Sequence, residues 1–111
     1  MKYRRFEELP VWNDSIELAR RIFDLSATGQ LSRLSGLKNQ IERAVVSISN
    51  NIAEGFERGT NEELLTFLYI ARGSAGEVRS MIHLLHRLEL PDEAAGLLPD
   101  VLSRAEQVSR Q

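Results

Sequence analysis

Residues 60–88, TNEELLTFLYIARGSAGEVRSMIHLLHRL, decide the fold of this 111-residue chain. The stretch opens with a capping box, in which the Thr60 hydroxyl accepts a hydrogen bond from the Glu63 amide and the Glu63 side chain reaches back. Its apolar residues then recur every three or four positions, which is the spacing of one helix face. We therefore predict a helix from Thr60 to about Leu88, about 40 Å long at 1.5 Å per residue.

This predicted helix carries more apolar surface than a single core contact needs. Its first apolar stripe comprises Leu64, Phe67, Leu68, Ala71, Ala75, Val78, Ile82 and Leu85. A second, flanking stripe comprises Ile70, Met81, Leu84 and Leu88, with Ser74 and Glu77 between them. The two stripes cover about 200° of the circumference, whereas a surface helix of a monomeric bundle needs little more than about 100°. We therefore expect self-association to cover the excess.

Two glycines lie inside the same helix. Gly73 and Gly76 each cost up to about 1 kcal/mol relative to alanine in a helix interior. We expect them to mark a close approach of another backbone.

Three more helical segments are predicted around this one. The first begins near Leu9-Pro10, because proline fits a first helical turn, and Gly29 marks its end. A polar connection over 26–35 leads to the second helix, which runs from Ser35, as the N-cap, to Gly55. The fourth segment opens at Pro91-Asp92, and the proline in its middle, Pro99, predicts a kink or a split into two helices.

Four helices with short connections predict an all-α fold, an antiparallel up-down-up-down four-helix bundle. We interpret residues 1–111 as one domain, with an N-terminal arm over 1–8 and a polar tail over 105–111 that frays. No apolar run approaches the roughly 18 residues of a membrane span. The N-terminal residues lack the apolar stretch of a signal peptide. We therefore expect a cytoplasmic protein that does not enter a membrane.

The chain lacks the residue patterns of the common catalytic and metal sites. It has no cysteine, which excludes thiolate nucleophiles and zinc sites of the cysteine type. His83 and His86 lack the Glu-x-x-His spacing of a di-iron bundle, and we expect His86 to tilt toward the core and His83 to lie on the polar side. Gly73-Ser74-Ala75-Gly76 lacks the spacing and the lysine of a phosphate loop. We predict a protein that is not an enzyme and binds no cofactor, metal or small-molecule substrate.

A row of polar residues follows the apolar face of the second helix: Gln40, Ser47, Asn51 and Glu54. Such a row is either a solvated flank or a hydrogen-bonded seam between helices or subunits, because buried amides and carboxylates need partners. We expect Asn51 and Glu54 to be buried in an assembly, and Glu54 and Glu77 to approach each other. Ser74, Glu77 and Met81 are the expected seam residues of the third helix.

Basic residues cluster in two places, although the net charge is −2. Arg72, Arg79, His83 and Arg87 share one face of the third helix. Arg4 and Arg5 lie in an N-terminal stretch with Lys2, Tyr3 and Phe6, and a mixture of basic and aromatic residues suits single-stranded bases. The alternative interpretation is a solvated polar face and a frayed terminus. RNA or DNA is therefore the alternative partner to a second copy of the chain.

Three segments resemble a known family. Residues 40–55, QIERAVVSISNNIAEG, resemble its signature Q-I-x-R-A-x-x-S-I-x-x-N-I-A-E-G, residues 67–77 resemble its F-L-x-I-A-x-G-S-x-x-E stretch, and 9–12 resemble its L-x-V-W start. This is the bacterial four helix bundle protein family, whose members are encoded by intervening sequences of large-subunit ribosomal RNA genes. The resemblance covers about residues 6–90, and the C-terminal segment with Gly96 and Pro99 matches little.

The resemblance implies a cytosolic bundle that assembles into a barrel-like homopentamer. It implies no catalytic role for the signature residues Gln40, Ser47, Asn51, Glu54, Ser74 and Glu77. The related accessory proteins of diversity-generating retroelements hold nucleic acid and a reverse transcriptase on a basic exterior, from which this mildly acidic chain departs. We predict a non-enzymatic, self-assembling scaffold or interaction protein. The alternative is a nucleic-acid-binding accessory protein that uses an Arg-rich face.

Overall fold

The computed structural model describes residues 2–110, all of whose regular structure is helical. Four long helices are present: α1 (Pro10–Ser26), α3 (Ser35–Glu57), α4 (Asn61–Arg87) and α6 (Leu98–Arg110). Two single-turn helices lie between them: α2 (Gly29–Ser32) and α5 (Asp92–Ala95). A 3₁₀ helix, Phe6–Glu8, precedes α1. The predicted all-α fold is confirmed.

The four long helices form a closed bundle. The helix α1 packs against α3, α3 against α4, α4 against α6, and α6 returns to α1. The bundle measures 46 × 20 × 19 Å, and each long helix contributes fully or nearly fully buried residues to one core, among them Leu18, Ile22, Ile41, Val45, Ile48, Val78, Ile82, Leu85 and Val101. None of the helices formed by residues 2–110 is both long enough and apolar enough to cross a bilayer.

The helix α4 starts and ends within one residue of its predicted limits. The Thr60 hydroxyl accepts from the Glu63 amide at 3.2 Å. The same hydroxyl donates to the Glu63 carboxylate at 3.1 Å, so the two residues of the predicted capping box do pair. The first apolar stripe provides the buried face of the helix, with Ala71, Ala75 and Val78 at its centre.

The close approach of two backbones occurs at a different glycine from those predicted. A Cβ added to Gly55 of α3 would lie 2.5 Å from the Cβ of Phe67 on α4. A Cβ added to Gly73 or Gly76 would meet nothing within 4 Å. The expectation for Gly73 and Gly76 is therefore wrong for the contacts within the chain, because both lie on a part of α4 that no other helix covers. Gly59, with φ of 88°, makes the turn between α3 and α4.

The connection over 26–35 is more ordered than its polar composition suggests. It contains α2, whose N-cap hydroxyl on Thr28 accepts from the Leu31 amide at 3.4 Å. Leu31 is fully buried, so this single turn closes one end of the core. The helix α1 ends at Ser26 rather than at Gly29. Ser35 is the first residue of α3 and Leu34 its N-cap, without a side-chain bond, so the predicted Ser35 cap is wrong.

The C-terminal segment is split, as Pro99 predicts. The single turn α5 ends at Ala95, and α6 begins at Leu98. Pro99 thus lies in the first turn of α6, where its missing N–H leaves no bond unmade. The helix α6 continues to Arg110 through the stretch where fraying was predicted, and Ala105 and Val108 are buried there. These apolar residues attach the last turns to the bundle.

Candidate functional site

A short hydrogen-bond network joins α3 to α4 at the predicted polar row. The Ser47 and Ser74 hydroxyl oxygens are 3.0 Å apart. Asn51 Nδ2 donates to the Ser47 carbonyl at 2.8 Å and to the Ser47 hydroxyl at 3.0 Å. Ser74 is buried, whereas Ser47 and Asn51 are half-buried. We call these three residues the seam.

The other residues expected in the row do not join the seam within one chain. Gln40, Glu54 and Glu77 are exposed, and Met81 is partly buried against the core. Glu54 accepts from Arg58 Nη2 at 2.8 Å, one turn further along α3. This pair raises the pKa of Arg58, chiefly through the hydrogen bond. The structure therefore pairs Glu54 with Arg58, where the sequence predicted an approach to Glu77.

An exposed apolar strip borders the seam on α4. Ile70, Leu84 and Leu88 are 48%, 48% and 47% exposed. They share one flank of α4, together with Ser74, Glu77 and Met81, because consecutive members of this set are three or four residues apart. We call this set of six residues the apolar flank. It is the second stripe predicted from the sequence, and nothing within residues 2–110 covers its three large members fully.

The opposite flank of α4 borders a groove of about 930 Å³. It lies along α4 and the end of α6, with Val11 of α1 among its lining residues. Leu65 and Tyr69, 52% and 63% exposed, line it together with both helix-interior glycines, Gly73 and Gly76. We call it the α4–α6 groove.

Three arginines line the α4–α6 groove: Arg72, Arg79 and Arg110. Glu106 is the only carboxylate among the described lining residues. None of the three arginines forms an ion pair within residues 2–110. Two buried polar atoms in the wall, Arg79 Nε and Ser109 Oγ, also have no partner in this part of the chain. The groove therefore has an unbalanced positive charge.

The remaining basic residues singled out from the sequence lie elsewhere. Arg87 is exposed in the last turn of α4, outside the groove. Arg5 Nη2 contacts Glu7 at 2.8 Å, a hydrogen-bonded pair that raises the Arg5 pKa and lowers the Glu7 pKa. The Arg4 amide donates to the Glu8 carboxylate at 2.8 Å. The structure thus brings Arg72 and Arg79 together and separates Arg87 from them.

The N-terminal arm is attached to the bundle rather than free. The ring of Phe6 packs edge-on against Trp12, with 5.1 Å between the ring centres. Its 3₁₀ helix contacts α1 and α3. An arm held in this way presents Phe6 to Trp12, so that ring is not a free platform for bases.

The histidines lie apart from the core. His83 and His86 are both exposed, so the expected tilt of His86 toward the core is wrong; Ile82 and Leu85 supply the buried face of α4 there. In residues 2–110 no three His, Asp or Glu side chains come close enough to hold a metal ion.

Sequence reasoning missed three groove residues. Tyr69 could have been found, because it shares the spacing of three and four residues with Arg72, Gly76 and Arg79. Glu106 and Arg110 could not, because they belong to a different helix and reach the groove only through the packing of α6 on α4.

These features define a class: a small all-α protein with four long antiparallel helices, a polar seam between the two longest, and one apolar flank left open. The model of the family described as 23S rRNA-intervening sequence protein matches residues 7–110, and the chain belongs to this family. The match confirms the resemblance drawn from residues 40–55 and 67–77. It also covers the C-terminal segment, so the expectation that this segment matches little is wrong. No curated protein matches the chain.

Proposed function

We propose that this protein is a self-assembling, non-enzymatic helical bundle that serves as a scaffold or interaction protein. The observation that carries the proposal is the apolar flank, where three large side chains are about half exposed in one row. Covering the exposed half of each contributes about 1 kcal/mol per side chain, on the scale of 1.5–3 kcal/mol for full burial. If a second copy of the chain covers the flank, the same free energy is gained at every interface of the assembly.

Polar groups beside the flank give the contact its register. Asn51 Nδ2 is satisfied within the chain, but no residue of 2–110 donates to its Oδ1. Glu77 has no ion pair within the same residues. Polar groups at the edge of an apolar patch oppose registers that leave them unpaired. We propose that a neighbouring subunit supplies the missing partners.

The stoichiometry and the compartment are parts of the same proposal. The family resemblance implies a homopentamer, and a ring of five requires each subunit to offer two different surfaces. The apolar flank is one such surface. The absence of cysteine suits the reducing cytoplasm, where disulfides are rare.

Light scattering coupled to size-exclusion chromatography tests the role of the flank. Leu84→Glu places a charge in the centre of the flank, and because Leu84 is about half exposed the core is not disturbed. Asn39→Glu adds the same charge at an exposed position of α3, away from the flank. We expect Leu84→Glu to yield smaller species and Asn39→Glu to retain the parent mass. Equal masses for both variants, at the parent value, would exclude the flank as the interface.

A second candidate function is the binding of RNA or DNA as an accessory protein. It is favoured by the arginines of the α4–α6 groove, which lack acidic partners in the described part of the chain. Binding to phosphates weakens steeply with salt. Filter binding at about 50 mM salt tests this candidate. If the protein retains neither RNA nor DNA on the filter, the candidate is rejected.

A further inference from the structure

The α4–α6 groove contains several features that the fold does not use. Tyr69 is the most exposed of the large apolar side chains, at 63%. The guanidinium groups of Arg72, Arg79 and Arg110 have no acidic partner in residues 2–110. Five other arginines are paired with carboxylates, among them Arg20 and Arg21 with Glu17 and Arg58 with Glu54. The described arginines without an ion pair outside the groove, Arg4, Arg33, Arg43 and Arg87, do not line it, whereas the groove brings three unpaired arginines together.

The groove is elongated along α4. Tyr69, Arg72, Gly76 and Arg79 follow each other at spacings of three and four residues, so they share one flank. Arg72 and Arg79 are seven residues apart, which separates them by about 10 Å along the axis. A ligand that uses both arginines therefore carries negative charge at intervals along its length.

The two glycines have no structural use within the chain. Both could be alanine without any contact, since an added Cβ meets nothing within 4 Å. Each lowers helix stability by up to about 1 kcal/mol. Glycine at such a position lets a ligand approach the helix backbone closely.

We propose that the α4–α6 groove binds single-stranded nucleic acid. The backbone phosphates contact Arg72, Arg79 and Arg110, and a base stacks on the exposed Tyr69 ring. A positive groove with an aromatic platform is the usual arrangement for binding single strands without sequence preference. Arginine suits this role because its planar fork bonds phosphate oxygens in pairs. This inference rests on the second candidate function and gives it a site.

A second copy of the chain fits the groove less well. Such a copy would need to bring free carboxylates to three arginines. Around the seam, Glu54 is already paired with Arg58 and Glu42 with Lys38, at 2.8 and 2.9 Å. The apolar flank itself has one carboxylate, Glu77, which has no ion pair within residues 2–110. One carboxylate cannot balance three arginines. The charges therefore favour a polyanion over a neighbouring subunit.

Fluorescence anisotropy with labelled 12-nucleotide oligo(U) and oligo(dT) tests the site on the full chain. We expect Arg72→Gln combined with Arg79→Gln to weaken binding and to reduce the slope of log K against log salt by about 1.4, at about 0.7 per lost single-strand phosphate contact. Tyr69→Leu keeps an apolar side chain but removes the platform, and we expect a loss of about fivefold or more. The matched control is Arg33→Gln, which removes an exposed arginine without an ion pair outside the groove and should leave the slope unchanged.

A plug variant tests the groove without changing its charge. Gly76→Leu places a larger side chain beside Arg72 and Arg79, at a position where an added Cβ meets nothing within 4 Å. We expect a folded protein with weakened oligonucleotide binding. Circular dichroism verifies the helical content of every variant before binding is measured.

The outcomes separate the site from the candidate function. If the parent chain binds neither oligonucleotide, both the second candidate function and the groove assignment fail. If the parent binds but Arg33→Gln weakens binding as much as the loss of Arg72 and Arg79, only the groove assignment fails. The groove assignment would also be overturned if uridine monophosphate or inorganic phosphate, at the same concentration as the oligonucleotide, displaced it from the protein. Binding would then not require a strand. The variant with both Arg72→Gln and Arg79→Gln can also change in oligomer mass while its oligonucleotide binding stays the same. That result would assign the groove to a contact between subunits.

Discussion

Replacing Gly55 by alanine tests whether the contact between α3 and α4 is as close as the structure shows. The new Cβ would lie 2.5 Å from Phe67 Cβ and 3.4 Å from Leu64 Cα. Both atoms belong to or adjoin the backbone of α4 and cannot rotate away. The two helices must therefore separate by about 1 Å, and overpacking of this kind costs about 1–3 kcal/mol. The better helix propensity of alanine offsets up to about 1 kcal/mol, which with the full offset leaves a net loss of up to about 2 kcal/mol.

The same substitution at Gly73 is the matched control. There the Cβ meets nothing, so only the propensity gain remains and stability rises by up to about 1 kcal/mol. Thermal unfolding at one fixed protein concentration measures both variants, and 1 kcal/mol corresponds to about 4 °C in a domain of this size. We expect Gly55→Ala to melt below the parent and Gly73→Ala above it. A rise of the same size for both would refute the close contact at Gly55.

Two further predictions concern a hydrogen bond and an ion pair. Asn51→Leu removes both bonds to Ser47 and should lower stability by about 1–3 kcal/mol, whereas Asn39→Leu on the exposed face of α3 should change it little; equal melting temperatures would contradict the seam. Hydrogen bonds from Arg20 and Arg21 lower the pKa of Glu17 to about 2. Because this folded-state pKa lies below the ordinary 4.5, the pairing stabilises the fold above pH 4.5, and its contribution disappears as the pH falls toward 2. Replacing both arginines by glutamine should move the Glu17 midpoint in an NMR titration back toward 4.5, and an unchanged midpoint would exclude this cause.

The helix limits were predictable wherever the signal is local. The capping box and the apolar period of α4 involve residues close in sequence, and both of its ends fell within one residue of prediction. The single turn α2 was not predictable in the same way. Leu31 lies in a short polar stretch between Gly29 and Gly36, and its burial depends on the packing of α2 against α1 and α3.

The sequence also could not predict which helical glycine a neighbouring helix approaches. The sequence marks Gly55, Gly73 and Gly76 as exceptions within helices, but which of them a neighbour approaches depends on how the helices cross. Phe67 and Leu64 of α4 lie against Gly55 of α3, near the turn that joins the two helices. An added Cβ at Gly73 or Gly76 meets no atom of another helix within 4 Å, and both glycines line the groove between α4 and α6.

Of the candidate site, the seam was predictable from the sequence and the α4–α6 groove was not. The register of Ser47 and Ser74 on their own helices placed both in the expected row, and they do meet across α3 and α4. The groove forms where α6 packs beside α4, and the spacing of apolar residues along the sequence does not predict which helices are neighbours. Arg110, near the end of the chain, therefore joined Arg72 only in the structure.

Sedimentation equilibrium of the parent chain at micromolar concentration tests the proposed self-assembly most directly. We expect a single species with a mass several times that of the 12.6 kDa chain, and a homopentamer has five times that mass. A clean 12.6 kDa monomer across the concentration range would contradict the proposal that the apolar flank is buried against a second copy of the chain.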